Sequence, residues 1–467
     1  MEASGSRGWG CAGPHSTRRG AERATVSGAS LAPAPSRNEL AIMVAAFAGL
    51  ALLAAWVLLF LQVDPVPTWF YVFAWYPTLV LADEVVRRRS GSRVLFSSPA
   101  RAASLFGWSA IVWLVFEVAN FRLRNWYYVF LPANAVERWA GILISFATVV
   151  PAVLVAERLL DTVGIGRAWR GAPLRATPRD FRVIQILGIG MAVLALGLPR
   201  TFFPLTWGAG WLIADPWVQR HRPEWSLLGD ITRGEWGRIG RLMLGGLCIG
   251  LVWECLNFWA RGKWVYTVPW IEGTKLFEMP PLGFLGFPFF ALEAWAMWHV
   301  LSGQAVRRYG GRAVAVTAAV LFASVTLLGM ERMTISSVTP RLAELPGIAA
   351  KEVEALAVAG FASPFTLTAA TPNVVAARSG LLRSRASALV ERSRLVTLRG
   401  IGSAHAARLD QLGVATVCAL ARQMPGPLWL AYHGAFGRAP PKTTSPRPTP
   451  AEVRVWVGAA RRECVEG

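Results

Sequence analysis

Between Leu40 and Met330 the chain is a succession of apolar runs, each near 20 residues long, separated by short arginine-bearing connections. At ~1.5 Å per helical residue such a run spans the hydrocarbon core of a bilayer. Lipid offers no partner to a backbone amide, so each run must close its own hydrogen bonds and therefore be a helix. Composition agrees: 54% of the 467 residues are hydrophobic and 16% are charged, where soluble domains carry about 25% charge. An ordinary soluble enzyme is excluded, and the expected fold class is an all-α polytopic membrane protein in a cell (inner) membrane.

The runs fall at residues 40–62, 66–85, 104–121, 139–159, 181–198, 202–218, 239–259, 282–301 and 313–330, which predicts nine spans. Residues 1–38, rich in Gly, Ala, Ser, Pro and Arg, read as a disordered basic tail, or as an over-extended start with Met43 as an alternative. Arginines in that tail and in the connections at Arg87–Arg89, 167–179, 220–241 and 307–312 alternate with poorer connections, which places the N-terminus in the cytoplasm. Nine crossings then put the C-terminus outside. The formal charge of +20 comes almost wholly from arginine, with Lys263, Lys275, Lys351 and Lys442 the only lysines, and by itself it does not indicate nucleic acid.

The five cysteines and five histidines are scattered. Their spacing suggests no disulfide framework, no metal centre and no cofactor, so an embedded site must be built from carboxylates, amides and aromatics.

Self-comparison gives the sharpest signal. Trp75, Ala82, Asp83, Val86 and Arg88 recur as Trp207, Ala214, Asp215, Val218 and Arg220, all 132 residues on. Glu117, Asn120 and Phe121 recur as Glu254, Asn257 and Phe258, at an offset of 137. An aromatic hook follows each: Trp126, Tyr127, Tyr128 and Pro132, then Trp264, Val265, Tyr266 and Pro269. Pro151 and Glu157 are answered by Pro288 and Glu293. Residues 39–160 and 177–303 thus form two four-helix units of the same orientation, and 311–330 an extra helix. Such units enclose polar sites between them.

Glu117 with Asn120, and Glu254 with Asn257, stand at i and i+3, so each pair shares a helix face. One reading makes these four, with Glu293, a site for a small molecule, a lipid or a proton, a buried Glu acting as proton carrier or general acid. The other makes them a polar clamp between helices. Asp83, Glu157 and Asp215 lie nearer the arginine-rich ends, where ion pairing at the interface is the favoured reading. For Trp126, Tyr128, Trp264 and Tyr266 an interfacial aromatic belt is favoured, although their kept spacing from the Asn also fits a pocket over a hydrophobic ligand. The stretch 280–290, PPLGFLGFPFF, fits a Pro-started helix better than a broken one.

Residues 334–467 are polar and helical in pattern, with a Pro-rich linker at 439–450 and a last helix capped by Thr449 and begun by Pro450. Within them, LRGIGSAHAARLDQLGV (398–414) and LPGIAAKEVEALAVAGF (345–361) share glycines at an offset of 53. These segments resemble tandem helix-hairpin-helix modules. The resemblance implies that Gly400 and Gly402, with Ser403, Arg399 and Arg408 nearby, hold a nucleic-acid phosphate without reading bases, and that Gly347 does so in the first copy, where Ala349 replaces the second glycine. From Met330 onward 17 Arg and Lys face 9 Asp and Glu, net +8. Nucleic acid and protein both stand open as partners of this domain.

The membrane part resembles bacterial polytopic proteins with an internal duplication. Its likeness to the duplicated membrane carotenoid cyclases extends to small size, duplication and buried acids, and carries no residue over. Two functions remain: a membrane protein with an enclosed acidic site, or a membrane-anchored DNA-binding or scaffold protein. A reporter fused after Met330 should be active outside the cytoplasm; activity inside would remove one span.

Overall fold

The computed structural model describes residues 37–269, 274–302, 311–437 and 446–466. The tail up to residue 36, most of the 307–312 connection and residues 439–445 of the Pro-rich linker lie outside the described residues. Helices α1 (Arg37–Phe60), α2 (Val66–Ser90) and α3 (Pro99–Leu123) lead to strand β1 (Trp126–Val129), then α4 (Ala135–Phe146), α5 (Val149–Thr162) and α6 (Pro178–Gly197). Next come α7 (Thr206–His221), α8 (Gly237–Trp259), strand β2 (Lys263–Tyr266), α9 (Gly286–Leu301) and α10 (Gly311–Met333).

Among the described residues, seven helical segments are long and apolar enough to cross a membrane: 38–60, 99–123, 135–162, 178–197, 237–259, 281–301 and 313–333. The other two expected spans are also helices but fall short of that standard. Helix α2 mixes Trp, Tyr, Pro and Thr into its run and ends in Asp83, Glu84 and three arginines, and α7 has 16 residues.

The fourth expected span is broken between α4 and α5. Pro151 has no N–H to continue the ladder, and Ser109 of α3 repairs the gap: its hydroxyl donates to Phe146 O at 2.8 Å and accepts from Val150 N at 3.0 Å. The stretch 280–290 starts as expected, with a short 3₁₀ turn at Pro281–Leu285 running into α9.

The connections sort to two ends. At one, arginines meet acids: Arg87, Arg88 and Arg93 surround Glu84, and Arg241 holds Glu157 at 2.8 Å. At the other, β1 and β2 pair antiparallel, with Trp126 opposite Tyr266 and Tyr128 opposite Trp264. The chain leaving α10 adds to the free edge of β1, as Tyr128 N donates to Thr334 O and Ser336 N to Tyr128 O. The aromatic hooks are thus a sheet, which the helical reading of the sequence did not anticipate.

The C-terminal region packs its own core from α11 (Ala350–Val358), α12 (Arg383–Thr397), α13 (Gly402–Gln411), α14 (Pro425–Phe436) and α15 (Pro450–Glu466). Gly347, Gly360, Gly400 and Gly413 all take left-handed φ, between 70° and 86°, where a side chain is strained. The absence of any disulfide, expected from cysteine spacing, is corrected here: Cys418 and Cys464 are bonded. Their separation of 46 residues carries no pattern; only the packing of α15 against the short helix at Val417–Ala421 brings them together. Replacing both with alanine should destabilise the C-terminal region by about 2–4 kcal/mol in urea melts of the full chain, and an unchanged midpoint would refute the bond's contribution.

Candidate functional site

Beneath the sheet lies a cavity of about 490 Å³, within the ~300–1,000 Å³ typical of small-molecule sites. Its walls are mostly apolar and rich in aromatic rings: Tyr71, Trp113, Trp126, Tyr128, Trp207, Trp253, Trp264, Tyr266, Phe287 and Phe290 all line it. Glu254 is the one carboxylate among the described lining residues.

Each strand is tied to the helix before it by the Asn and Glu singled out in the sequence. Asn120 Nδ2 donates to Trp126 O at 2.9 Å, while its Oδ1 accepts from Asn125 N at 2.9 Å. Asn257 brackets Trp264 in the same way, at 3.0 Å in both directions. These amides cap strand backbone and do not face the cavity, a correction to their expected role beside a ligand.

Strand alternation then aims every second aromatic downward. Glu117 Oε1 accepts from Trp113 Nε1 at 2.9 Å, Trp126 Nε1 at 3.0 Å and the Tyr128 hydroxyl at 2.5 Å. Glu254 Oε1 accepts from the Tyr266 hydroxyl at 2.9 Å and Trp264 Nε1 at 3.2 Å. The favoured belt reading is corrected for Trp126, Tyr128, Trp264 and Tyr266: the first two are buried, Trp264 and Tyr266 are half-buried, and their polar tips point at carboxylates rather than at an interface. Among the described residues the Oε2 of Glu117, of Glu254 and of Glu293 has no hydrogen-bond partner.

The remaining acids separate. Glu293 lies off the cavity, where its Oε1 accepts from Gly208 N at 2.8 Å and Gly210 N at 2.7 Å. It caps the helix that restarts after Trp207 and Gly208 depart from helical φ/ψ. Glu157 pairs with Arg241, as its position near the arginine-rich end suggests. Asp83 keeps the expected ion pair, with Arg93, and is also a loop anchor, whereas Asp215 is corrected from ion pairing to loop anchor alone. Fully buried, Asp83 accepts from Val94 N and Leu95 N, and Asp215 from Leu227 N and Leu228 N, all at 2.8–3.0 Å. Arg93 lies 3.5 Å from Asp83; Asp215 takes a hydroxyl bond from Ser226 instead.

The upper side of the sheet carries the other alternate residues. Tyr127, Val129 and Val265 bury against Phe365 and Val455 of the C-terminal region. The Gly400–Gly402 turn seats here: a Cβ on Gly400 would stand 2.0 Å from Val129 Cγ1, and one on Gly402 2.7 Å from Ser337 Cβ. The expected phosphate-binding turn is thus occupied by protein. Arg399 pairs with the fully buried Glu278, which also holds Lys263 at 2.9 Å. Burial works to raise the Glu278 carboxyl, but the two cations override it and hold it below the usual range. Ser403 Oγ is buried, Arg408 donates to the Tyr432 hydroxyl, and the first hairpin's Gly347 lies under the Arg392 guanidinium.

Sequence reading missed Trp113, Trp253, Phe287, Phe290, Lys263 and Glu278. Trp113 was accessible, standing one turn before Glu117 on the same helix face; Glu278 sits in a connection with no periodicity.

No family model, curated protein or solved structure matches this chain.

The docked C-terminal region carries a pH dependence. Glu452 Oε2 accepts from Ser336 Oγ at 3.2 Å, and burial pushes its carboxyl from 4.5 to about 7 despite the opposing charge of Arg124. The raised value means the docked state favours the neutral acid. Its contribution is complete below pH 4.5 and disappears as pH rises through about 7. Hydrogen exchange at residues 334–338 should quicken over that window beyond its intrinsic pH dependence, and Glu452→Gln should abolish the excess; an excess that persists in the variant excludes Glu452 as its source.

Proposed function

We propose that the chain is a nine-span protein of the cell membrane, with a cytoplasmic N-terminus and a duplicated four-span unit whose halves enclose a binding site for a lipophilic small molecule. On this reading β1 and β2, one from each unit, roof the site. The C-terminal region, of tandem helix-hairpin-helix type, braces that roof from outside.

One observation carries the reading: a fully buried carboxyl, Glu254, faces a cavity whose other walls are mostly apolar and rich in aromatic rings, with one oxygen tied to the roof and the other untied among the described residues. Aromatic walls offer area and dispersion to an apolar body. A carboxyl in such surroundings orients a hydroxyl or an amine and can deliver a proton. The two cations beside the cavity are already matched, Lys263 by Glu278 and Arg138 by Glu331 at 2.7 Å, so the lining presents no unmatched positive charge to an anionic ligand.

Support for the duplication lies in the parallel bonding of Glu117 and Glu254, Asn120 and Asn257, and Asp83 and Asp215, described above. Nine spans fit the two-ended sorting of the connections, with α2 and α7 crossing inside the bundle. The disulfide fits an oxidising compartment for the C-terminal region. With Gly400 and Gly402 seated on the sheet, the nucleic-acid reading has no free turn to rest on.

Solvent extraction of the purified full chain should release a lipophilic molecule. Glu254→Gln should lower its retention about tenfold, the worth of one hydrogen bond to a charged or strongly polar group. Glu117→Gln keeps an acceptor for Trp113, Trp126 and Tyr128, and should change retention by less than about twofold. Equal losses in both variants would refute the assignment of Glu254 as the ligand-facing acid.

A further inference from the structure

The cavity has a side as well as a roof. Leu282, Leu285 and Phe289 line it, and they are also 64%, 62% and 41% exposed on the outside of the molecule. They stand at i, i+3 and i+7, one stripe along the first two turns of the 281–301 span. Across from them, Pro204 of the Phe203–Leu205 turn is exposed and lines the cavity too. Both segments are 3₁₀ turns preceding a helix, at the end of the bundle that carries the sheet. Gly286 matters here, because a Cβ on it would stand 3.2 Å from the Trp207 indole, which lines the cavity just inside.

A surface residue of a membrane span faces acyl chains, not water. A residue that is both outer surface and cavity wall therefore marks an opening between cavity and lipid. Above, the route to water is covered by the sheet and by the docked hairpin turn, with Phe365 packed on Phe130 at 5.2 Å and under the Arg261 guanidinium at 4.3 Å.

We infer that the gap between the Phe203–Leu205 and Pro281–Leu285 turns is a lateral portal. Through it a membrane-dissolved lipid with a small neutral or cationic polar end, such as a long-chain alcohol or amine, passes from the leaflet on the sheet side to Glu254. This rests on the reading of the cavity as a lipophile site, and adds where the ligand comes from and which end group it carries. An anionic headgroup is disfavoured, since the lining offers it a carboxylate and only cations already matched by Glu278 and Glu331.

The test uses the full chain in phosphatidylcholine vesicles with hexadecanol carrying a mid-chain aliphatic diazirine, illuminated and mapped by peptide mass spectrometry. Label is expected on Glu254, Trp253 and Phe287. Leu282→Trp with Leu285→Trp, both surface changes, should cut that label about tenfold, while label on the exposed Phe47 and Leu50 of α1 stays constant and reports an intact, inserted protein. Palmitic acid with the same diazirine should label the cavity poorly. Cavity label that survives the double variant, or that rises only when Arg399→Asp loosens the roof, overturns the portal and leaves the lipophile site standing. Equal label from the acid overturns the end-group assignment. Cavity label absent in vesicles but present in detergent overturns lateral passage alone, whereas absence in both overturns the lipophile site itself.

Discussion

A carboxylate in the interior of a membrane protein must be given donors, and in this molecule that requirement organises everything on the sheet side. Glu117 lies six residues before the end of α3 and Glu254 five before the end of α8, about 9 Å and about 7.5 Å below the helix ends. Helix α3 supplies Glu117 with one indole donor, Trp113, and the chain must bring the other indole and phenol donors to both carboxyls from beyond the helix ends. The chain does so by turning back as a strand whose alternate side chains hang downward, and the Asn one turn on from each Glu fixes the strand at the height where they reach. Isolated, two four-residue strands would not persist in water. Here they are fixed from below by carboxylates, at the edge by residues 334–339, and from above by the hairpin turn.

That dependence explains why the C-terminal region belongs to the same machine. Strand alternation leaves Tyr127, Val129 and Val265 facing away from the membrane, an apolar patch that would otherwise meet water. Gly400 and Gly402 give the hairpin turn the close approach that a phosphate would need, and use it on Val129 and Ser337. Arg399 reaches Glu278 from a left-handed backbone, φ 41°, a conformation that an ordinary residue holds only when its surroundings impose it. The basic composition of the region is spent partly on such internal contacts, Arg385 with Glu352 among them.

Much of this was legible in the sequence, and the part that was not has physical reasons. Hydrophobic run length found the helices, because lipid leaves them no alternative, and offset matching found Glu117, Glu254, Asp83 and Asp215. What each residue touches was less accessible. Asp83 and Asp215 sit beside arginines in sequence, yet their bonds go to loop amides eleven to thirteen residues on, a distance set by the loop and not by helix periodicity. Tryptophans at a helix end read as a belt because belt and roof share composition; only the direction of the indole N–H separates them. The disulfide escaped because its cysteines stand 46 residues apart, with helix α14 and the Pro-rich linker between them.

Glu117 and Glu254 bond the two strands in the same way but differ in their surroundings. Glu117 is held by three donors and lies behind Trp113, Trp126 and Tyr128, so its charge is already answered by protein. Glu254 has lost the counterpart of Trp113, since the residue one turn before it is Gly250, whose missing side chain admits the Phe287 ring. A Cβ there would stand 2.3 Å from that ring. Gly250 therefore does two things at once: it removes a donor that would tie up Glu254, and it lets Phe287 move in as cavity wall. Of two carboxyls bonded alike to a strand, Glu117 is closed off as a strut for the sheet, and Glu254 is presented to the cavity.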